Sequence, residues 1–137
     1  MAQAYSYQYK GQKNMKQDKP KAFIPLDKSR IWLDFNEFCT VDEKDGAPIY
    51  LFSQGDIVND SDGKDIVLHE GMEVSVFDND FDETGKPDAI LAEGILIKNI
   101  LKDVLTNYPY VKWLVKLTRN KVNYKSGAEY GYWLSDL

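Results

Sequence analysis

Two strand-like runs joined by an acidic turn, the first alternating with period two and the second mostly apolar, constrain this chain more than any other feature. Met72, Val74 and Val76 alternate with Glu73 and Ser75, placing apolar side chains on one face of an extended segment and polar ones on the other. After Asp78 to Asp88, where Gly85, Lys86 and Pro87 supply turn chemistry, the chain resumes as the mostly apolar stretch Ala89 to Ile97, with Gly94 marking a bulge or bend. An isolated hairpin cannot protect the apolar face of such a pair, so other strands have to cover it.

Several segments supply that cover. Ile31, Leu33 and Phe35 alternate within Arg30 to Phe38, and this strand is expected to form a hairpin with Pro48 to Phe52 across the charged turn Asp42 to Ala47. Gly55 to Lys64 reads as a second turn region, followed by a strand over Asp65 to His69. Val111, Trp113, Val115 and Leu117 alternate again, Arg119 to Gly127 reads as a polar, basic loop or irregular hairpin turn, and Glu129 to Leu134 forms the last strand. Helical spacing occurs once, at Ile97, Ile100, Leu101, Val104, Leu105 and Tyr108, and Pro109 ends it. The expected fold is mainly β, a small strongly bent antiparallel sheet or small barrel, with one short helix before the last two strands. Gly71-x-x-Val74-x-Val76, followed by Ala92-x-Gly94-x-Leu96, resembles small SH3-like barrels, and that resemblance implies architecture alone.

Residues 1–21, rich in Gln, Lys and Asn, read as a basic, flexible tail before a single β-rich domain over 22–137. Tyr5, Tyr7 and Tyr9 share one face if that tail adds as a strand to a neighbouring sheet edge, in this chain's own assembly or another's. No secretory leader or membrane-length apolar run is evident, and Cys39 is the lone cysteine, so a cytoplasmic location is the expectation.

Charge is unevenly distributed along the chain. Residues 1–30 carry seven Lys or Arg and two Asp, a net +5; residues 31–107 carry five Lys and eighteen acids, a net −13; residues 108–137 carry five basic residues and two acids, a net +3. Such a field steers a basic partner to the centre or an acidic one to the ends. Asp78, Asp80 and Asp82 occupy alternate positions of a possible cation loop. Glu83 and Ala89 then stand where an EF-hand needs its glycine and its bidentate glutamate, so solvated turns are expected and no metal. With one histidine, His69, and neither a phosphate loop nor a nucleophile elbow, catalysis and cofactor binding are not expected.

The leading expectation is a non-catalytic acidic protein-binding module. In size and charge it is similar to immunity proteins and to nucleic-acid-mimicking inhibitors, which block a basic cleft by complementary electrostatics. Asp78, Asp80, Asp82, Glu83 and Asp88 then steer, while Phe81 anchors. The alternative is single-stranded nucleic-acid binding through Tyr5, Tyr7, Tyr9, Lys10, Lys13, Arg119, Lys121 and Lys125, rings stacking on bases and cations neutralising phosphates.

Overall fold

A computed structural model describes residues 16–99, 110–118, 121–127 and 129–132. Its strands are β1 (Lys16–Gln17), β2 (Ile31–Trp32), β3 (Phe38–Val41), β4 (Pro48–Ser53), β5 (Ile57–Asn59), β6 (Asp65–Val67), β7 (Glu73–Phe81), β8 (Pro87–Lys98), β9 (Trp113–Leu117), β10 (Lys121–Tyr124) and β11 (Glu129–Tyr132).

β8 is the axis of the larger sheet. β7 pairs antiparallel along one of its edges, from Phe81↔Pro87 to Glu73↔Ile95. The other edge is shared, with β10 opposite Ile90 and Leu91 and β9 opposite Gly94 to Lys98. From β9 the sheet continues through β4 to β3, and on the far side β2 joins β7 in parallel. A smaller sheet, β1-β5-β6, holds β1 parallel to β5 and β6 antiparallel to it. Both sheets are therefore mixed, and neither closes into a barrel.

Alternation accounts for the core. Val74 and Val76 of β7, Ile90, Ala92 and Leu96 of β8, Trp113, Val115 and Leu117 of β9, and Tyr50 and Phe52 of β4 face one side of the sheet. Ile31, Leu33 and Phe35 join Val58 and Ile66 of the smaller sheet, and Leu68 just after it, in covering them. Ile49, Leu51 and Leu114, of opposite parity, form a second cluster with Val111. Strands β4 and β9 thus have apolar contacts on both faces.

The structure corrects several expectations. Arg30 to Phe38 is not one long strand: Ile31–Trp32 pairs with β7, the chain then leaves the sheet, and Phe38 opens β3, which makes the hairpin with β4. Ile57–Asn59, inside the expected second turn, is a strand because it gains partners on both sides. Ile97 and Lys98 belong to β8 rather than to a helix; residues 100–109 lie outside the described residues, among which there is no helix. Lys121–Tyr124 is strand, not loop: it pairs with β8 and, in an irregular antiparallel hairpin that agrees with the second reading of Arg119 to Gly127, with β11. Lys16 to Lys21, assigned to the flexible tail, are integrated through β1 and through Lys19, whose N–H donates to Asn59 Oδ1 at 2.6 Å. Gly94 causes no bulge against β7, since the register runs through it unbroken.

Candidate functional site

The acidic segment is shorter as a loop than its composition suggests. Only Asp82 to Lys86 turns; Asp78, Asp80 and Phe81 complete β7, and Asp88 opens β8. Asp82 builds the turn, its Oδ1 accepting from the Thr84 and Lys86 amides at 2.8 and 3.0 Å. The Gly85 amide donates to the Asp82 carbonyl at 3.0 Å, with Gly85 at φ 86°, a conformation glycine adopts without steric penalty. Asp60 repeats the device in the β5–β6 hairpin, accepting from the Asp62 and Lys64 amides, both at 2.9 Å. The two turns share the pattern Asp-x-x-Gly-Lys.

Asp80 and Asp88 stand directly opposite each other across the hairpin. Like charges so placed repel, and two side chains from the β10 end relieve them. The Tyr124 hydroxyl donates to Asp80 Oδ2 at 2.7 Å, and the Ser126 hydroxyl donates to Asp88 Oδ2 at 2.7 Å. Burial alone would raise the Asp88 carboxyl; the bonds from Ser126 and Ala89 outweigh it and hold the group below the usual carboxylate range. Asp78 faces inward, accepting from Trp32 Nε1–H at 2.8 Å and the Phe35 amide at 3.0 Å, and burial raises its pKa. Asp78 and Asp88 therefore serve the fold, while Asp80, Asp82 and Glu83 stand nearer the tip.

Beside them lies Phe23, a residue with no local signal to mark it. Phe23 and Phe81 are 61% and 54% exposed, yet their ring centroids are only 6.0 Å apart. Asn79 holds the pair together: its Oδ1 accepts from the Phe23 amide at 2.9 Å and its Nδ2 donates to the Lys21 carbonyl at 3.0 Å. The reciprocal clamp fixes an otherwise irregular segment against β7. The tip thus presents two adjacent exposed rings, followed in the chain by the exposed Asp82 and Glu83, with Asp80 on the opposite face of β7.

Elsewhere the segregated charge closes on itself. Lys16 pairs with Asp65 at 2.9 Å, Lys28 and Arg30 with Glu93 at 3.5 and 3.0 Å, Lys112 with Asp56 at 2.9 Å, and Lys116 with Asp42 and Asp45 at 2.8 and 3.0 Å. Each of these contacts joins a basic end of the chain to its acidic middle. Among the described residues Asp80, Asp82, Glu83 and Asp88 form no such ion pair.

Of the residues considered for nucleic acid, Tyr5, Tyr7, Tyr9, Lys10, Lys13 and Arg119 lie outside the described residues. Lys121 is in β10, and Lys125 is exposed, its amide donating to the Ala89 carbonyl at 2.7 Å, beside the acidic hairpin. His69 is exposed, Cys39 is half-buried with its thiol raised by burial, and no three potential ligands among the described residues are placed to hold a metal ion.

A second candidate lies on the other side of β2. Lys19 is only 7% exposed, and its ammonium donates to the Phe52 carbonyl at 2.5 Å. Nζ also lies 4.5 Å from the Phe52 ring centroid and 5.5 Å from that of Trp32. It lines an open cleft of about 230 Å³ whose walls include Trp32, Phe52, Ser53, Asp34 and Glu37. Burial pushes the amine down to about 8, with Asp34 acting in the opposite sense. Because the folded value lies below the ordinary 10.5, the unfolded chain holds this proton more tightly. The contribution of Lys19 to stability is therefore smallest below pH 8 and rises as pH climbs from about 8 toward 10.5. Urea unfolding of the wild type and of Lys19→Met across that window should give a free-energy difference that shifts in favour of the wild type; a flat difference would contradict the assignment.

Comparisons with protein-family models, with curated proteins and with solved structures gave no match.

Proposed function

We propose that this protein is a non-catalytic binding module whose β7–β8 tip docks on a basic protein surface containing an apolar recess. Phe23 and Phe81 fill the recess, while Asp82 and Glu83 meet lysines or arginines around it. The exposed, mutually packed ring pair supports this reading most strongly. Two large apolar side chains held in water by a dedicated clamp gain solvation free energy when covered, and large aromatics are common interface anchors. Carboxylates lacking an internal cation retain their field for a partner, the same complementarity by which an immunity-type or nucleic-acid-mimicking inhibitor occupies a basic cleft. Nucleic-acid binding has weaker support, because Lys16, Lys28, Lys112 and Lys116 are engaged with carboxylates.

The experiment is selection of a random displayed-peptide library on the full chain. Enriched sequences should combine Lys or Arg with large apolar residues. Their binding should weaken with salt and fall about tenfold or more in Phe81→Ser, an anchor-sized loss. Glu83→Lys should slow association and flatten the salt dependence. Enrichment of acidic or purely polar peptides, or indifference to Phe81→Ser, would overturn the reading.

A further inference from the structure

We propose that the Lys19 cleft is a second, separate binding site, and that its ligand is a small zwitterion of the α-amino acid type. The cleft shares no lining residue with the hairpin tip. Lys19, one of its lining residues, carries an ammonium with one hydrogen-bonding carbonyl and two aromatic faces, but no carboxylate within ion-pairing distance among the described residues. A buried charge with no carboxylate in direct contact carries a desolvation cost that a ligand carboxylate would offset. Asp34 and Glu37 line the same cleft, placed by the turn in which the Glu37 amide donates to the Asp34 carbonyl at 3.0 Å.

These signs together restrict the ligand. A plain anion attracted by Lys19 is repelled by the two carboxylates, and a plain cation drawn to the carboxylates is repelled by Lys19. A molecule carrying both charges avoids either penalty: its carboxylate meets the Lys19 ammonium and its ammonium meets Asp34 and Glu37. The volume of about 230 Å³ suits a molecule of that size, and Trp32 and Phe52 offer apolar wall to its side chain.

The test is calorimetric titration of the full chain with each common amino acid, with the N-acetyl and amide derivatives of the tightest, and with its dipeptides. Saturable binding of at least one free amino acid is expected, weakened at least tenfold by either derivatisation and lost in Lys19→Met. Because Lys19→Met removes a buried contact, the exposed Glu37→Gln gives a readout independent of folding. It should weaken the free amino acid several-fold and tighten its N-acetyl derivative. Dipeptides binding more tightly than their constituent amino acids would assign the site to peptide ligands and overturn the free-amino-acid form. So would no saturable binding by any titrant, equal affinity for free and N-acetyl forms, or indifference of both to Glu37→Gln.

Discussion

Arg30→Met lowers the free energy of unfolding by about 3–5 kcal/mol, the range for removing one partner of a buried charge pair. Arg30 is 5% exposed, and its guanidinium makes a two-pronged bond to Asp27, Nε to Oδ1 at 2.7 Å and Nη2 to Oδ2 at 2.9 Å. Nη1 then donates to the Val76 and Ala92 carbonyls at 3.0 and 3.1 Å and to Glu93 Oε2 at 3.0 Å. Val76 and Ala92 face each other across β7 and β8, so one side chain ties both central strands to the segment entering β2. Its backbone reaches a third element, the amide donating to Ser61 Oγ at 3.0 Å and the carbonyl accepting from the Ser61 amide at 2.7 Å. Methionine fills part of the volume but leaves Asp27 and two carbonyls without the Arg30 donor, and leaves Glu93 with Lys28 and Ser75 alone. Lysine restores the charge without the planar fork, so Arg30→Lys should recover only a minor part of the loss. Urea denaturation with fitted slope and midpoint measures both variants. A loss below about 1 kcal/mol for methionine, the level of an exposed pair, would refute the role assigned to Arg30.

Gly94→Val should cost about 3 kcal/mol, the upper part of the usual range for overpacking a filled core. A Cβ at this position would lie 2.6 Å from Val115 Cγ1 and 2.9 Å from the Lys116 carbonyl oxygen. The first neighbour is a side chain and the second is backbone of the paired strand β9, so the sheet itself would have to open. Val115→Ala removes the first obstruction only. The double variant should therefore be less destabilised than the sum of the single variants, while remaining below wild type. Strict additivity would show that β9 yields where the close packing says it cannot.

The parts of the fold legible in the sequence are those governed by neighbours in the chain. Alternation located β7 and β9, a mostly apolar run located β8 and a cluster of β-forming residues located β4, while Asp, Gly and Lys marked the hairpin turns. Pairings between distant segments have no local signature, which is why the parallel contact of β2 with β7 was not anticipated. The run Asp78 to Phe81 reads as loop by propensity, yet Trp32 and Tyr124 satisfy its carboxylates and the strand continues. Lys19 lies in a segment whose composition suggests disorder, and only the fold brings Trp32 and Phe52 to it. Charge segregation was visible, but not that the basic ends would close on the acidic middle. Phe23 gave no signal because its neighbour Phe81 and its clamp Asn79 come from β7.

The most direct test of the docking role is a titration of the isotope-labelled full chain with a basic, aromatic-containing peptide recovered by selection, followed through backbone amide resonances. The largest movements should fall on Phe23 and on Asn79 to Lys86, and should vanish in Phe81→Ser while the rest of the spectrum remains that of the folded protein. Movements centred on Lys121 to Lys125, or spread evenly over the sheet with the tip unmoved, would contradict it.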